Sequence, residues 1–108
     1  MRIVIDMLGA QVPSTCGRGI GRYIMSLVRA LAKQIASAQE YELFLLINAQ
    51  YTDACLEIKK QLADVLDESH FKTWYAHEAH GGINNPSSAI IHEGACTALE
   101  PDVLLIPS

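Results

Sequence analysis

The sequence has little of what would disclose a chemistry by itself. Its three cysteines, Cys16, Cys55 and Cys96, lie far apart with no C-x-x-C pair, which excludes a disulfide framework and a cysteine zinc site and leaves reduced thiols. Eight Lys and Arg against twelve Asp and Glu give a net charge of −4. The basic residues are scattered, so neither nucleic acid nor an anionic membrane surface is an expected partner. No apolar run approaches the roughly 20 residues a bilayer needs, and the opening residues lack the basic, apolar and small-residue zones of a signal peptide. The expectation is a cytoplasmic protein without a transmembrane segment. There is no G-x-x-x-x-G-K-[ST], so a P-loop is excluded.

What is present is a chain of 108 residues, 50% hydrophobic and 19% charged, enough for the core of one domain or part of one. Arg2 to Asp6 is a short β-branched run ending in a carboxylate, the pattern of a buried parallel strand. Met7 to Cys16 reads as a loop, too long for a tight turn. Ile20, Ile24, Leu27, Val28, Leu31 and Ile35 recur at helical spacing and predict a helix from about Ile20 to Ser37. Leu43 to Ile47 is a second buried strand, followed by a helix from Thr52 to near Glu68. Phe71 to Tyr75, of mixed polarity, suits a strand nearer the sheet edge. Residues 76 to 84 show no periodicity and read as a loop. Asn85-Pro86 then opens a helix expected to bury Ile90, Ile91, Ala95, Ala98 and Leu99, and Val103 to Ile106 is the last strand.

The fold class is therefore α/β, a Rossmann-like open parallel sheet of βαβαβαβ order with strands arranged 3-2-1-4. That order puts two helices on one face and a single helix on the other, thinly covered face. It implies the first part of a larger domain, and self-association of the 108 residues alone. Ligands of such sheets bind outside the carboxyl ends of the strands where the order reverses, here between the first and fourth strands.

The stretch Gly17-Arg18-Gly19-Ile20-Gly21-Arg22-Tyr23 falls at the start of the first long helix. The first N–H groups of a helix lack intrahelical acceptors, and the dipole adds partial positive charge, so this is an anion site by construction. A cation in the first turn opposes the dipole at a cost of about 0.3–1 kcal/mol unless an anion offsets it. Arg18 and Arg22 therefore point to an anionic ligand. The plainer account is that the glycines only make a turn while the arginines lie outward or pair with Asp6.

Other chemistries fit less well. A dinucleotide fingerprint needs G-x-G-x-x-G directly after the first strand and an acidic residue at the end of the second. The chain has G-x-G-x-G well beyond Asp6, and its second strand ends at Asn48. His77, Glu78 and His80, with His92 and Glu93, invite a metal reading, but the spacing is not H-E-x-x-H and a solvated loop suits them better. No metal is expected. Cys16 has no evident general base beside it. Trp74 and Tyr75 could stack on a sugar, although an edge-strand aromatic more often packs under a helix.

Met1 to Met7, Gly9-Ala10-Gln11, Arg18-Gly19-Ile20-Gly21-Arg22-Tyr23 and the Glu100-Pro101-Asp102-Val103 lead into a strand resemble the opening of group 1 (family 4) glycosyltransferases. The resemblance spans the chain in layout and is specific in the first two dozen residues. It implies the amino-terminal, acceptor-side domain of a two-domain GT-B enzyme, with the donor-binding carboxy-terminal domain absent from these 108 residues. The implied activity is a retaining hexosyl transfer from a nucleotide diphosphate sugar to a glycan or lipid-linked acceptor in cell-surface polysaccharide assembly, at the inner face of the membrane. No cofactor is implied beyond that donor substrate. By position, Gly17, Arg18, Gly19, Gly21 and Arg22 would face the donor diphosphate, while His77, His80, Gly81 and Gly82 would border the acceptor. The rival expectation is a stand-alone flavodoxin-like module that binds a phosphorylated small ligand without catalysis.

Overall fold

The computed structural model describes residues 1–12, 17–38, 40–75 and 86–107, with the backbone alone at 86–89. In chain order the elements are β1 (Arg2–Asp6), α1 (Leu8–Gln11), α2 (Gly19–Ile35), β2 (Glu42–Asn48), α3 (Thr52–Leu62), a 3-10 turn (Glu68–His70), β3 (Phe71–Trp74), α4 (Pro86–Ala98) and β4 (Val103–Leu105). The four strands form one parallel sheet of order β3-β2-β1-β4, an open Rossmann-like α/β arrangement. A flavodoxin-like order would place β1 beside β3. Here β3 pairs with β2, so that part of the rival expectation does not hold.

Alternation along β1 separates two layers. Ile3 and Ile5 face the larger core with Ile24, Val28, Leu43, Leu45, Ile47, Ile58 and Leu62, under α1, α2 and α3. Val4 faces the opposite way, against Leu46, Trp74 and Cys96, with Phe44, Ala95 and Leu99 at the margin. Period-2 patterning thus assigns each strand residue to a face, and the apolar stripe of α2 closes over the first. The α4 face is covered over β1 to β3 but leaves Leu104 and Ile106 exposed beside β4.

Four expectations are corrected. The stretch after β1 is not all loop, because Leu8–Gln11 forms a helical turn. The Asp6 carboxylate accepts the Leu8 N–H at 3.1 Å, and the Val12 N–H closes onto the Leu8 carbonyl at 3.0 Å. The second long helix stops at Leu62 rather than near Glu68. Its end tightens through Ala63 N–H to Lys60 O and Val65 N–H to Leu62 O, which turns Leu66 into the core. The Asp67 carboxylate then caps Ser69 N–H at 3.0 Å and starts the 3-10 turn. The buried side of α4 is Cys96 with Ala95 and Leu99, whereas Ile90 and Ile91 are 70% and 45% exposed and Ala98 is exposed. With so little sheet under the single helix of that face, hydrophobicity alone does not choose which side packs. Finally, β3 ends at Trp74 and β4 at Leu105, each one residue short of expectation.

Candidate functional site

The strands converge with their carboxyl ends at Asp6, Asn48, Trp74 and Leu105, and the order reverses between β1 and β4. At this edge the chain after β1 and the chain after β4 come together. A Cβ on Gly9 would meet Ile24 Cδ1 at 2.7 Å, Ile20 Cγ1 at 3.8 Å and the Pro107 carbonyl at 3.9 Å. Gly9 thus sits at a close approach, where α1 lies against Ile24 and Ile20 of α2 beside the end of β4.

A buried amide holds α1 in place. Gln11 Nε2 donates to the Asn48 carbonyl at 3.0 Å, and Gln11 Oε1 accepts the Asn48 N–H at 2.9 Å. The side chain thus imitates the next backbone residue of a neighbouring strand and continues the ladder past Met7, whose N–H donates to Leu46 O. Gln11 and Asn48 are both buried, and the Cys55 thiol also donates to Asn48 O at 3.3 Å. Burial pushes the Cys55 thiol up, which leaves it neutral and structural.

The α2 turn has a different character. Arg18 occupies the N-cap in an extended conformation with no side-chain cap, and no acidic residue lies in the first turn. Gly17, Arg18, Gly19 and Arg22 are exposed, whereas Gly21 is buried against the core. Arg22 folds back, its guanidinium donating to the Gly17 carbonyl from Nη2 at 3.1 Å and from Nε at 3.4 Å. Neither Gly17 nor Gly19 adopts the left-handed region, and nothing among the described residues lies within 4 Å of the position a Cβ would take on either. The packing of these residues gives no reason for glycine at 17 or 19.

On the other face of the sheet, the same edge carries a second cluster. Asp6 shares the face of Val4 and is 5% exposed. Its Oδ2 lies 3.1 Å from His92 Nε2, and Cys96 Sγ is 3.8 Å from the same nitrogen. The Trp74 ring meets the His92 ring edge to face, centroids 4.9 Å apart. Trp74 is 6% exposed, and its indole N–H has no acceptor among the described residues. A buried donor in that state costs about 1–3 kcal/mol. The sequence marked Trp74 and His92 separately; the contact between them and with Asp6 comes from the topology.

No family model, curated protein or solved structure matches this chain. His77, Glu78, His80, Gly81, Gly82 and Cys16 lie outside the described residues. Among the described residues no group of three or more His, Cys, Asp or Glu side chains could hold a metal ion. No helix among them is long and apolar enough to cross a membrane.

Proposed function

We propose that this chain is the acceptor-side lobe of a glycosyltransferase that moves a sugar from a nucleotide diphosphate sugar to a glycan or lipid-linked acceptor. The observation that carries this reading is the α2 turn, where among the described residues neither packing nor a positive φ requires glycine at 17 or 19, and the helix N-terminus, with no side-chain cap from Arg18, bears two arginines. Gly19, at the first helical position, costs helix stability relative to alanine, by at most about 1 kcal/mol. Its use is to let another molecule approach the backbone N–H groups. A diphosphate fits that demand, since its oxygens accept several N–H bonds at once and its charge offsets Arg18 and Arg22.

The chemistry follows from where charge develops. As the anomeric carbon leaves the donor, negative charge grows on the departing diphosphate, and fixed N–H donors with a guanidinium at that point stabilise it without reorganising. The resemblance of the opening residues to group 1 glycosyltransferases supplies the reaction class. On this reading residues 1–108 alone turn over no donor, because catalysis needs both walls of the cleft positioned. The test is a panel of nucleotide sugars against the full-length gene product, with product formation followed by mass spectrometry. Sugar transfer from one donor supports the reading; diphosphate binding without turnover of any donor overturns it in favour of a non-catalytic module.

A further inference from the structure

The two arginines of the α2 turn are not equivalent. Arg22 lies near the end of the first helical turn, and helical side chains lean toward the N-terminus, so its guanidinium reaches back to the residue before the N-cap. There Nη2 and Nε both donate to the Gly17 carbonyl, at 3.1 Å and 3.4 Å. Among the described residues this fork is the only side-chain hydrogen bond to Gly17, Arg18 or Gly19. The Arg18 guanidinium has no partner among them.

Pinning the Gly17 carbonyl fixes more than one atom. The described peptide bonds are trans, with N–H and C=O opposed across a plane, so the fork also sets the direction of the Arg18 N–H. That N–H belongs to the N-cap, among the donors at a helix start that no helix carbonyl accepts. Without the fork, Gly17 and Gly19 leave the chain on both sides of Arg18 with the backbone freedom of glycine. Packing does not restrain them, since nothing among the described residues lies within 4 Å of a Cβ built at either position. We propose that Arg22 is a positioning residue, which holds the turn in the shape that presents the Arg18 and α2 amides to a diphosphate, while Arg18 supplies the guanidinium that meets the anion. The role depends on the diphosphate reading of the turn and makes the two arginines unequal within it.

The test compares Arg22→Met with Arg18→Met in isotope-labelled residues 1–108. Methionine keeps an unbranched chain and removes the guanidinium, and both positions are exposed, so neither change disturbs the core. Backbone amide relaxation recorded without any ligand should show Gly17, Arg18 and Gly19 more mobile in Arg22→Met and unchanged in Arg18→Met. Pyrophosphate is then titrated at low and at high salt. Arg18→Met should bind more weakly at low salt, and the loss should shrink as salt rises, because a charge contact in solvent is screened. Arg22→Met should still bind about fivefold more weakly at high salt, since the turn must be ordered at any ionic strength. Amides of Gly17 to Gly19 that relax in Arg22→Met as they do in the parent overturn the proposal. So does an Arg22→Met loss that vanishes at high salt as it does for Arg18→Met. Pyrophosphate that moves no amide of the turn in the parent protein contradicts the diphosphate reading and the role built on it. A parent that binds, beside an Arg22→Met variant that keeps both order and affinity, sinks the positioning role alone.

Discussion

Residue by residue, the α2 turn separates glycines that look equivalent in the sequence. Gly19→Ala fills open space at the first helical position and removes glycine's excess backbone entropy, so stability should rise by about 0.4–1 kcal/mol in thermal or denaturant unfolding. If the diphosphate approaches the backbone here, the same variant should lose affinity for a nucleoside diphosphate. A more stable protein that binds less well is the pattern expected of a position kept for function. Gly21→Ala should behave differently, because Gly21 is buried, and overpacking at such a site costs about 1–3 kcal/mol. Arg18→Ala and Arg22→Ala should each weaken diphosphate binding by about 1.5–3 kcal/mol where the lost contact is a charge-assisted hydrogen bond. A surface pair offers a pH test. The Arg29 guanidinium bonds Asp64 at 2.8 Å and holds its carboxyl below the ordinary value. Because the folded value is the lower one, the stabilisation is present above the ordinary carboxylate range and is lost as pH falls through the folded value. In Arg29→Gln, NMR titration should find Asp64 moved up toward the ordinary range and that acid-side dependence reduced.

At the scale of elements, one buried side chain, Gln11, ties α1 to the end of β2. Gln11→Leu fits the volume but removes the acceptor that Gln11 supplies to the Asn48 N–H, a loss of about 1–3 kcal/mol, while the Asn48 carbonyl keeps the Tyr51 N–H and the Cys55 thiol. Denaturant unfolding reads that loss directly, and a variant as stable as the parent would show that α1 does not depend on this amide. The α4–β4 connection has its own weak point. Glu100 sits at φ 49, where a side chain is strained, and its charge opposes the carboxyl end of the helix dipole. Glu100→Gly should raise stability by about 0.5–1 kcal/mol. These elements also show what was legible beforehand. Hydrophobic runs at Ile3–Ile5 and Leu43–Ile47 and the stripe from Ile20 to Ile35 carried enough periodicity to give those strands and the first helix, while the strand order rests on the general pattern of doubly wound sheets. The turn at Leu8–Gln11 carried none, since it is set by a polar contact from Gln11 to a residue 37 positions away. The packed side of α4 was equally hidden, because apolar residues lie all round that helix and a half-buried histidine, chosen by Asp6, faces the sheet. Within the candidate site, the glycines and arginines were visible as a local motif. The Asp6–His92–Trp74 cluster was not, since its members come from β1, α4 and β3 and meet only once the sheet is assembled.

Taken as a whole, the molecule places a cationic turn on one side of its ligand edge and a carboxylate–imidazole–indole cluster on the other. It also leaves apolar surface on the α4 face, where Ile90, Ile91, Leu104 and Ile106 are exposed. Light scattering on residues 1–108 should therefore show concentration-dependent self-association, relieved in an Ile90→Lys, Leu104→Lys variant. A monomer at all concentrations would mean that these residues do not form a continuous patch. The central claim is that the α2 turn receives a diphosphate through its backbone. The most direct measurement follows the backbone amide resonances of residues 1–108 as a nucleoside diphosphate is added. The account predicts that the Gly19, Ile20 and Gly21 amides shift most, saturably, and that Arg18→Ala with Arg22→Ala suppresses the shifts. Amides of Gly17 to Arg22 that stay still while others move, or shifts unchanged in the arginine variant, would contradict it.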